Sequence, residues 1–246
     1  MEMVVAALAT CSGITAVEIL SKMRQPVLSF EIVASGERAE QRPRPWTRIH
    51  LEYRLSGACD LERAERAVEL AETKHCPVAK SLSPDLALSH HVVRVGHDIR
   101  RITAAETHQL RQSLLRPHQR LEEMRYPGDD DPDSVHLGGF LEGRLSGILS
   151  LRQAGNPDFD LGERPFKLRG MATVPEVRGS GLGAALLANC IQYARLFGGT
   201  AVWCNARRGA VGFYGRGGFQ TLGEVFEVPV IGPHVVMVHW LGPPAP

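Results

Sequence analysis

The chain has 246 residues, 43% of them hydrophobic and 22% charged, with a formal net charge of +1. That balance is ordinary for a globular protein that builds its own core as one large domain or two small ones, and it leaves no electrostatic footprint for nucleic acid. The five cysteines include no C-x-x-C pair and no histidine at zinc-finger spacing, which argues against a metal site and against a secreted disulfide framework. The expected setting is reducing and cytoplasmic. Residues 3–9 (MVVAALA) imitate a signal-peptide core, but Glu2 stands where a basic residue belongs. Nothing is expected to approach the run of ~20 apolar residues that crosses a membrane.

In chain order, residues 3–23 read as one apolar helix, with Val4, Leu8, Cys11, Ile14 and Val17 at helical spacing. Its remaining surface is also small or apolar, so burial on most sides is expected. Leu28, Phe30, Ile32 and Ala34 alternate as a strand, and Ile49, Leu51, Tyr53 and Leu55 alternate with charged residues as a half-buried one. Asp60 caps a helix running to about Lys74; Cys76-Pro77 starts a short turn or helix, and residues 86–95 form another strand. Helix, strand, strand, helix, strand is an α+β order.

Gly96-His97-Asp98 marks a boundary, giving domains at 1–95 and 97–246. The second opens with a short strand, Ile99 to Ile102, and a capping box at Thr103-Ala-Ala-Glu106. An irregular stretch at 116–134 follows, then strands at 135–141, 144–151 and 166–174. A glycine-rich turn leads to a helix at 182–197, a strand at 200–205, a helix near 208–215 and two last strands.

The turn, from Val174 through Arg178-Gly179-Ser180-Gly181-Leu182-Gly183-Ala184, joins a strand to a helix. Small residues there let successive N–H groups face one space at the positive end of the helix dipole, an arrangement suited to phosphate. A Walker A loop is excluded, because no Gly-Lys-Ser/Thr follows. A dinucleotide fingerprint fits formally at Gly179, Gly181 and Ala184, but the region about twenty residues on is Trp203-Cys204-Asn205, without the acid that a ribose needs. A glycine-rich turn with no ligand is the bland alternative.

Residues 168–183 (LRGMATVPEVRGSGLG) and 205–219 (NARRGAVGFYGRGGF) resemble motifs A and B of the GNAT N-acetyltransferases, in the family's order and spacing. The resemblance covers roughly residues 97–241. It implies an α/β domain whose mixed sheet splays between two central strands, with acetyl-CoA in the gap. By resemblance, Arg178, Gly181 and Gly183 with their loop hold the pyrophosphate, and backbone amides at Met171, Ala172, Thr173 and Val174 hold the acetyl and pantetheine groups. Tyr214 takes the family's tyrosine position, donating a proton to the departing thiolate; packing beside Phe213 is its structural alternative. Asn205 is a further cofactor contact. The acceptor would be an amine, on a small molecule or a protein, and Glu227 or His234 in the closing strands would take its proton. The acids at Glu122, Glu123, Asp129, Asp130 and Asp131 either attract a cationic amine or form a solvated turn.

The first half resembles the OsmC/Ohr-like hydroperoxide reductases through AALATCSGIT around Cys11, QPV at 25–27, RIHLEY at 48–53, and ERAVELAETKHCPV ending on Cys76 and its neighbours. By resemblance, Cys11 is the peroxidatic thiol and Cys76 the resolving one, with Glu2 at the position of a family acid. The family's preceding strands, and an activating arginine they carry, lie before this chain's Met1, so an incomplete domain with weak or absent peroxidase activity is expected. Family members are homodimers, which makes dimerisation through this half the expectation. Three functions stay open: an amine acetyltransferase fused to an OsmC-like domain, a thiol peroxidase with a regulatory CoA-binding half, and a non-catalytic sensor.

Overall fold

Two units emerge in the computed structural model, Met1–Gly96 and His97–Pro246; residues 2–242 are described. In the first, α1 (Glu2–Lys22) is followed by the antiparallel pair β1 (Ser29–Arg38) and β2 (Trp46–Ser56). Next come α2 (Leu61–Leu70), α3 (Pro77–Ser81) and β3 (Ala87–Arg94), which pairs parallel to β2 in the order β1-β2-β3. Alternation on β2 buries Ile49, Leu51, Tyr53 and Leu55 against Leu8, Ala16 and Leu20 of α1 and Ala64, Ala67 and Val68 of α2. Each fully buried leucine or isoleucine contributes about 1.5–3 kcal/mol relative to exposure. Asp60 caps α2 through a hydrogen bond from the Arg63 amide at 3.2 Å. The expected single helix to Lys74 instead ends as α-helix at Leu70 and continues as a π-turn over Ala71–His75.

Helix α1 departs from expectation in two respects. It is long and apolar enough to cross a membrane by length and composition, with a mean hydropathy of 1.9. It is also far from buried on most sides: 28% of that window is buried, while Met3, Ile14 and Val17 are exposed. The helix is apolar nearly all round, but its own unit supplies partners for one side only.

The second unit is a seven-stranded sheet in the order β4-β5-β6-β7-β8-β10-β9. Its strands are β4 (Asp98–Ile102), β5 (Val135–Leu141), β6 (Arg144–Gln153), β7 (Pro165–Thr173), β8 (Ala201–Arg207), β9 (Gln220–Val228) and β10 (Gly232–Trp240). All pairings are antiparallel except β7 with β8. Helix α4 (Ala104–Leu110) carries the full capping box between Thr103 and Glu106. Helix α5 (Leu182–Leu196) buries Leu182, Leu186, Leu187, Cys190 and Ile191. It lies so close to the sheet that a Cβ at Gly147 would stand 2.8 Å from Leu186 Cδ1. The short α6 (Val211–Arg216) follows β8.

Candidate functional site

The parallel pairing of β7 with β8 extends over three residue pairs, Pro165–Ala201, Phe166–Val202 and Lys167–Trp203. Past Lys167 the strands part, and the β7 edge from Leu168 to Thr173 faces β8 without a ladder. Backbone amides on such an edge are obligatory donors that seek a partner. Met171, Ala172, Thr173 and Val174 lie along this stretch, all half-buried. The Val174 amide is already donated to Ser146 O at 2.9 Å.

Directly beyond, Arg178, Gly179, Ser180 and Gly181 are exposed and lead into α5. Gly181 is the helix N-cap with φ +90°, and a Cβ there would approach His97 Nε2 to 3.1 Å. Both facts favour glycine. The N-cap Gly181 has no side chain to cap this 15-residue helix, and one first-turn amide, that of Leu182, donates to Ser180 Oγ at 3.3 Å. The other first-turn amides, including those of Gly183 and Ala184, have no carbonyl one turn back within the helix. They point from the positive end of the dipole into exposed space.

Where the strands diverge lies a cavity of about 380 Å³ lined by Met171, Cys204, Asn205, Tyr214 and His234, among others. Tyr214 of α6 is buried, with its hydroxyl 3.8 Å from Met171 Sδ and its ring edge-on to Phe213. Burial, then the nearby Cys204 and Cys190 thiols, hold the phenol well above its ordinary pKa, so it stays protonated. Burial also pushes the Cys204 thiol up to about 12. The ring nitrogen Nδ1 of His234 is 2.8 Å from the Gly232 carbonyl, which only accepts, so Nδ1 carries a proton and the neutral ring is the tautomer with its lone pair on Nε2. Glu227 is exposed on β9 and does not line the cavity. The structure thus brings Met171, Asn205, Tyr214 and His234 together and leaves Glu227 outside.

A buried ion cluster forms one wall of this region. Asp129 binds Arg111 with both oxygens, accepts from the Tyr126 amide at 2.8 Å and pairs with Arg169 at 2.8 Å. Burial alone would raise its pKa, but the Arg111 hydrogen bond, the Tyr126 amide and the two guanidinium charges outweigh it and leave the carboxyl below its ordinary value. Arg111, itself fully buried, donates to Ser150 Oγ at 2.7 Å; Ser150 lies 2.7 Å from His136 Nδ1, and His136 Nε2 lies 2.9 Å from Asp129 O. Asp129 is therefore spent on structure, and Asp130 and Asp131 pair with Arg125 and Arg152. Sequence reasoning overlooked Arg111, His136, Lys167 and Arg169. The available signal was the alternation of Lys167 and Arg169 on one strand face, which the register shift at Gly170 interrupts before Met171.

In the first unit, Cys11 is partly exposed and Cys76 buried. Burial first, then the neighbouring Cys11 thiol, raises the Cys76 pKa. Cys76 is also the N-cap of α3, its sulfur accepting from the Ala79 amide at 3.4 Å. Nearby, the Tyr53 hydroxyl is 2.9 Å from both Ser12 Oγ and Glu72 Oε1, and His90 Nδ1 is 2.8 Å from Glu72 Oε2. Glu2 is almost fully exposed and 3.9 Å from Arg38.

Comparison with known proteins assigns each unit. Residues 1–90 match the model of the OsmC-like proteins and residues 99–219 that of the acetyltransferase (GNAT) family. The "uncharacterized N-acetyltransferase YitI" of Bacillus subtilis (strain 168) is 36% identical over 140 residues, which are 57% of this chain and 93% of the relative. Protein YhfA of Escherichia coli (strain K12) is 41% identical over 92 residues, 37% of this chain and 68% of the relative. Among solved structures, an acyl-CoA N-acyltransferase from Pseudomonas aeruginosa aligns with 25% identity over 58% of this chain and 99% of its own, with a TM-score of 0.44.

Proposed function

The chain belongs to the GNAT acetyltransferase family through its second unit and carries an OsmC-like first unit, and from that membership we propose that it moves the acetyl group of acetyl-CoA onto an amine held in the cavity between β7 and β8. It is an acyltransferase by family. The observation that carries the cofactor reading is the continuity of three features along β7: the unladdered edge at Met171–Thr173, the exposed loop Arg178–Gly181, and the uncapped N-terminus of α5. Pantetheine amides suit the open edge, and the pyrophosphate suits the loop and the helix dipole. Arg178 adds a cation, and Gly179, Ser180, Gly181, Leu182, Gly183 and Ala184 supply the backbone cradle, with Asn205 across the gap.

Acetyl-CoA supplies an activated acyl carbon: the amine nitrogen forms a bond to it as the C–S bond breaks, the nitrogen loses a proton and the sulfur leaves as thiol. Tyr214, kept protonated by burial, donates toward the sulfur. His234, with Nε2 unprotonated in its neutral form and facing the same cavity, accepts the proton of the amine. The buried walls limit water's competition for the acyl carbon. The test is mass-spectrometric detection of acetylated products from a mixed pool of primary amines incubated with acetyl-CoA. Products that vanish with Tyr214→Phe support the proposal; no product from any amine, with acetyl-CoA intact, counts against it.

A second activity of the first unit is favoured by the neighbouring Cys11 and Cys76 thiols. In this reading the partly exposed Cys11 attacks a hydroperoxide, releasing an alcohol and becoming a sulfenic acid. Cys76 then displaces water to give the disulfide, so two thiols are oxidised as one peroxide is reduced. We assign this unit the homodimer contact as well, over the exposed apolar face of Ile14 and Val17, and place the chain, with its five free cysteines, in a reducing cytoplasm.

A further inference from the structure

The cavity between β7 and β8 carries a charge pattern that constrains its occupant. Its lining includes Arg116, Lys167, Arg169 and Arg207 and not a single Asp or Glu among the described residues. None of the loop residues 178–184 is in that lining, so these cations are separate from the cradle assigned to the pyrophosphate. They surround the space beyond the thioester end, where an acceptor sits.

The cations are not balanced from behind. Arg152, Lys167, Arg169 and Arg111 share this wall with two carboxylates, Asp129 and Asp131. Asp129 is divided between Arg111 and Arg169. Lys167 lies over the Trp203 ring at 4.4 Å and forms no ion pair with a carboxylate among the described residues. Burial, then the charges of Arg169 and Arg152, depress its pKa, as expected for a cation crowded by its own kind. Arg169 Nε and Arg152 Nε are buried without a hydrogen-bond partner. Buried donors of this sort cost free energy unless a ligand meets them. Arg116 and Arg207 have no acidic partner among the described residues either; Arg207 instead donates to Leu115 O at 2.7 Å. Leu115, Leu168, Val228 and Ile231 add an apolar part to the lining.

Resting on the acetyltransferase reading, we infer that the acceptor is a small primary amine that also carries an anionic group, a carboxylate or a phosphate, which Lys167, Arg169 and Arg116 hold while the amine faces His234 and Tyr214. A polyamine or an aminoglycoside-like polycation is the wrong charge for this wall. A volume of about 380 Å³ lies at the small end of the range for small-molecule sites. Asp129, Asp130 and Asp131 do not recruit a cationic amine here, because each is paired with arginine.

The experiment pairs each anionic amine with its neutralised counterpart. Free amino acids are set against their decarboxylated amines, phosphoethanolamine against ethanolamine, and spermidine and an aminoglycoside serve as polycations. Acetyl-CoA binding is measured first by calorimetry, and acetylation is then followed by mass spectrometry. Expected is kcat/KM at least about 30-fold higher for the anionic member of a pair, the scale of one desolvated ion pair. Lys167→Met should raise KM for that acceptor about 10-fold or more and so narrow the gap between it and its decarboxylated counterpart, with Lys167→Arg restoring most of that gap. Preference for amino acids identifies the anion as carboxylate, and preference for phosphoethanolamine identifies it as phosphate. If acetyl-CoA binds but neutral or polycationic amines react as well as the anionic ones, or no amine reacts, this inference fails while the cofactor assignment stands. If acetyl-CoA does not bind, the acetyltransferase reading falls and takes this inference with it.

Discussion

The hydroxyl of Tyr214 stands 3.8 Å from the sulfur of Met171, so the phenol of α6 bridges back to β7 at the place where β7 and β8 have parted. In the proposed reaction this phenol is the donor to the leaving sulfur. Removing the hydroxyl while keeping the ring, as Tyr214→Phe, should lower kcat about 100-fold, the usual size of a general-acid contribution. Its packing on Phe213 and Phe219 should survive. Steady-state kinetics check this; an unchanged kcat would assign Tyr214 to packing alone.

Asp129 is the one carboxylate that both Arg111 and Arg169 share. Asp129→Asn leaves the fully buried Arg111 without a counter-charge, so the second unit should lose about 3–5 kcal/mol. Urea unfolding followed by circular dichroism measures the loss. A change under about 1 kcal/mol would show that solvent reaches Arg111.

His136 gives the protein an acid-sensitive step. Burial first, then the charges of Arg111 and Arg169, lower its pKa against the raising effect of Asp129. Its hydrogen bonds agree: Nε2–H donates to Asp129 O, and Nδ1 accepts from the Ser150 hydroxyl. Above the unfolded-state value of about 6.5 both states are neutral and this residue adds no pH dependence. As pH falls below that value the unfolded chain takes up a proton that the folded one resists, so stability declines until the lowered folded pKa is reached. Thermal unfolding between about pH 7 and 5 should therefore show a steeper loss of Tm for the native protein than for His136→Gln. Equal slopes would refute the assignment.

The placing of the Cys11 thiol beside Cys76 predicts an easy disulfide. Brief exposure to an organic hydroperoxide should join the peptides containing these two cysteines, with loss of two hydrogens, and leave the buried Cys59, Cys190 and Cys204 reduced. Peptide mapping reads this directly. Cys11→Ser should leave Cys76 unoxidised, because a buried thiol with a raised pKa is a poor nucleophile.

Much of the architecture is legible in local pattern, and the reasons are physical. Ile49, Leu51, Tyr53 and Leu55 alternate because one face of β2 is buried, and Thr103 with Glu106 announces α4 because both orphan amides are satisfied within four residues. The exposure of Ile14 and Val17 is not legible, since a helix apolar all round has no pattern to say which side lacks a partner. Arg111 and Asp129 are 18 residues apart, and Asp129 lies in an acidic stretch that reads as solvated; only the fold shows that it is buried. The cationic wall is equally hidden. Lys167 and Arg169 become a cavity lining only because β7 and β8 separate after three paired residues.

The central claim is that the edge of β7 and the N-terminus of α5 hold acetyl-CoA, and calorimetric titration of the native protein beside Gly181→Val tests it most directly. Valine at φ +90° and within 3.1 Å of His97 cannot keep the loop geometry. Saturable binding by the native protein that disappears in a folded Gly181→Val variant is the predicted result. No binding by the native protein, or equal binding by both, would contradict the account.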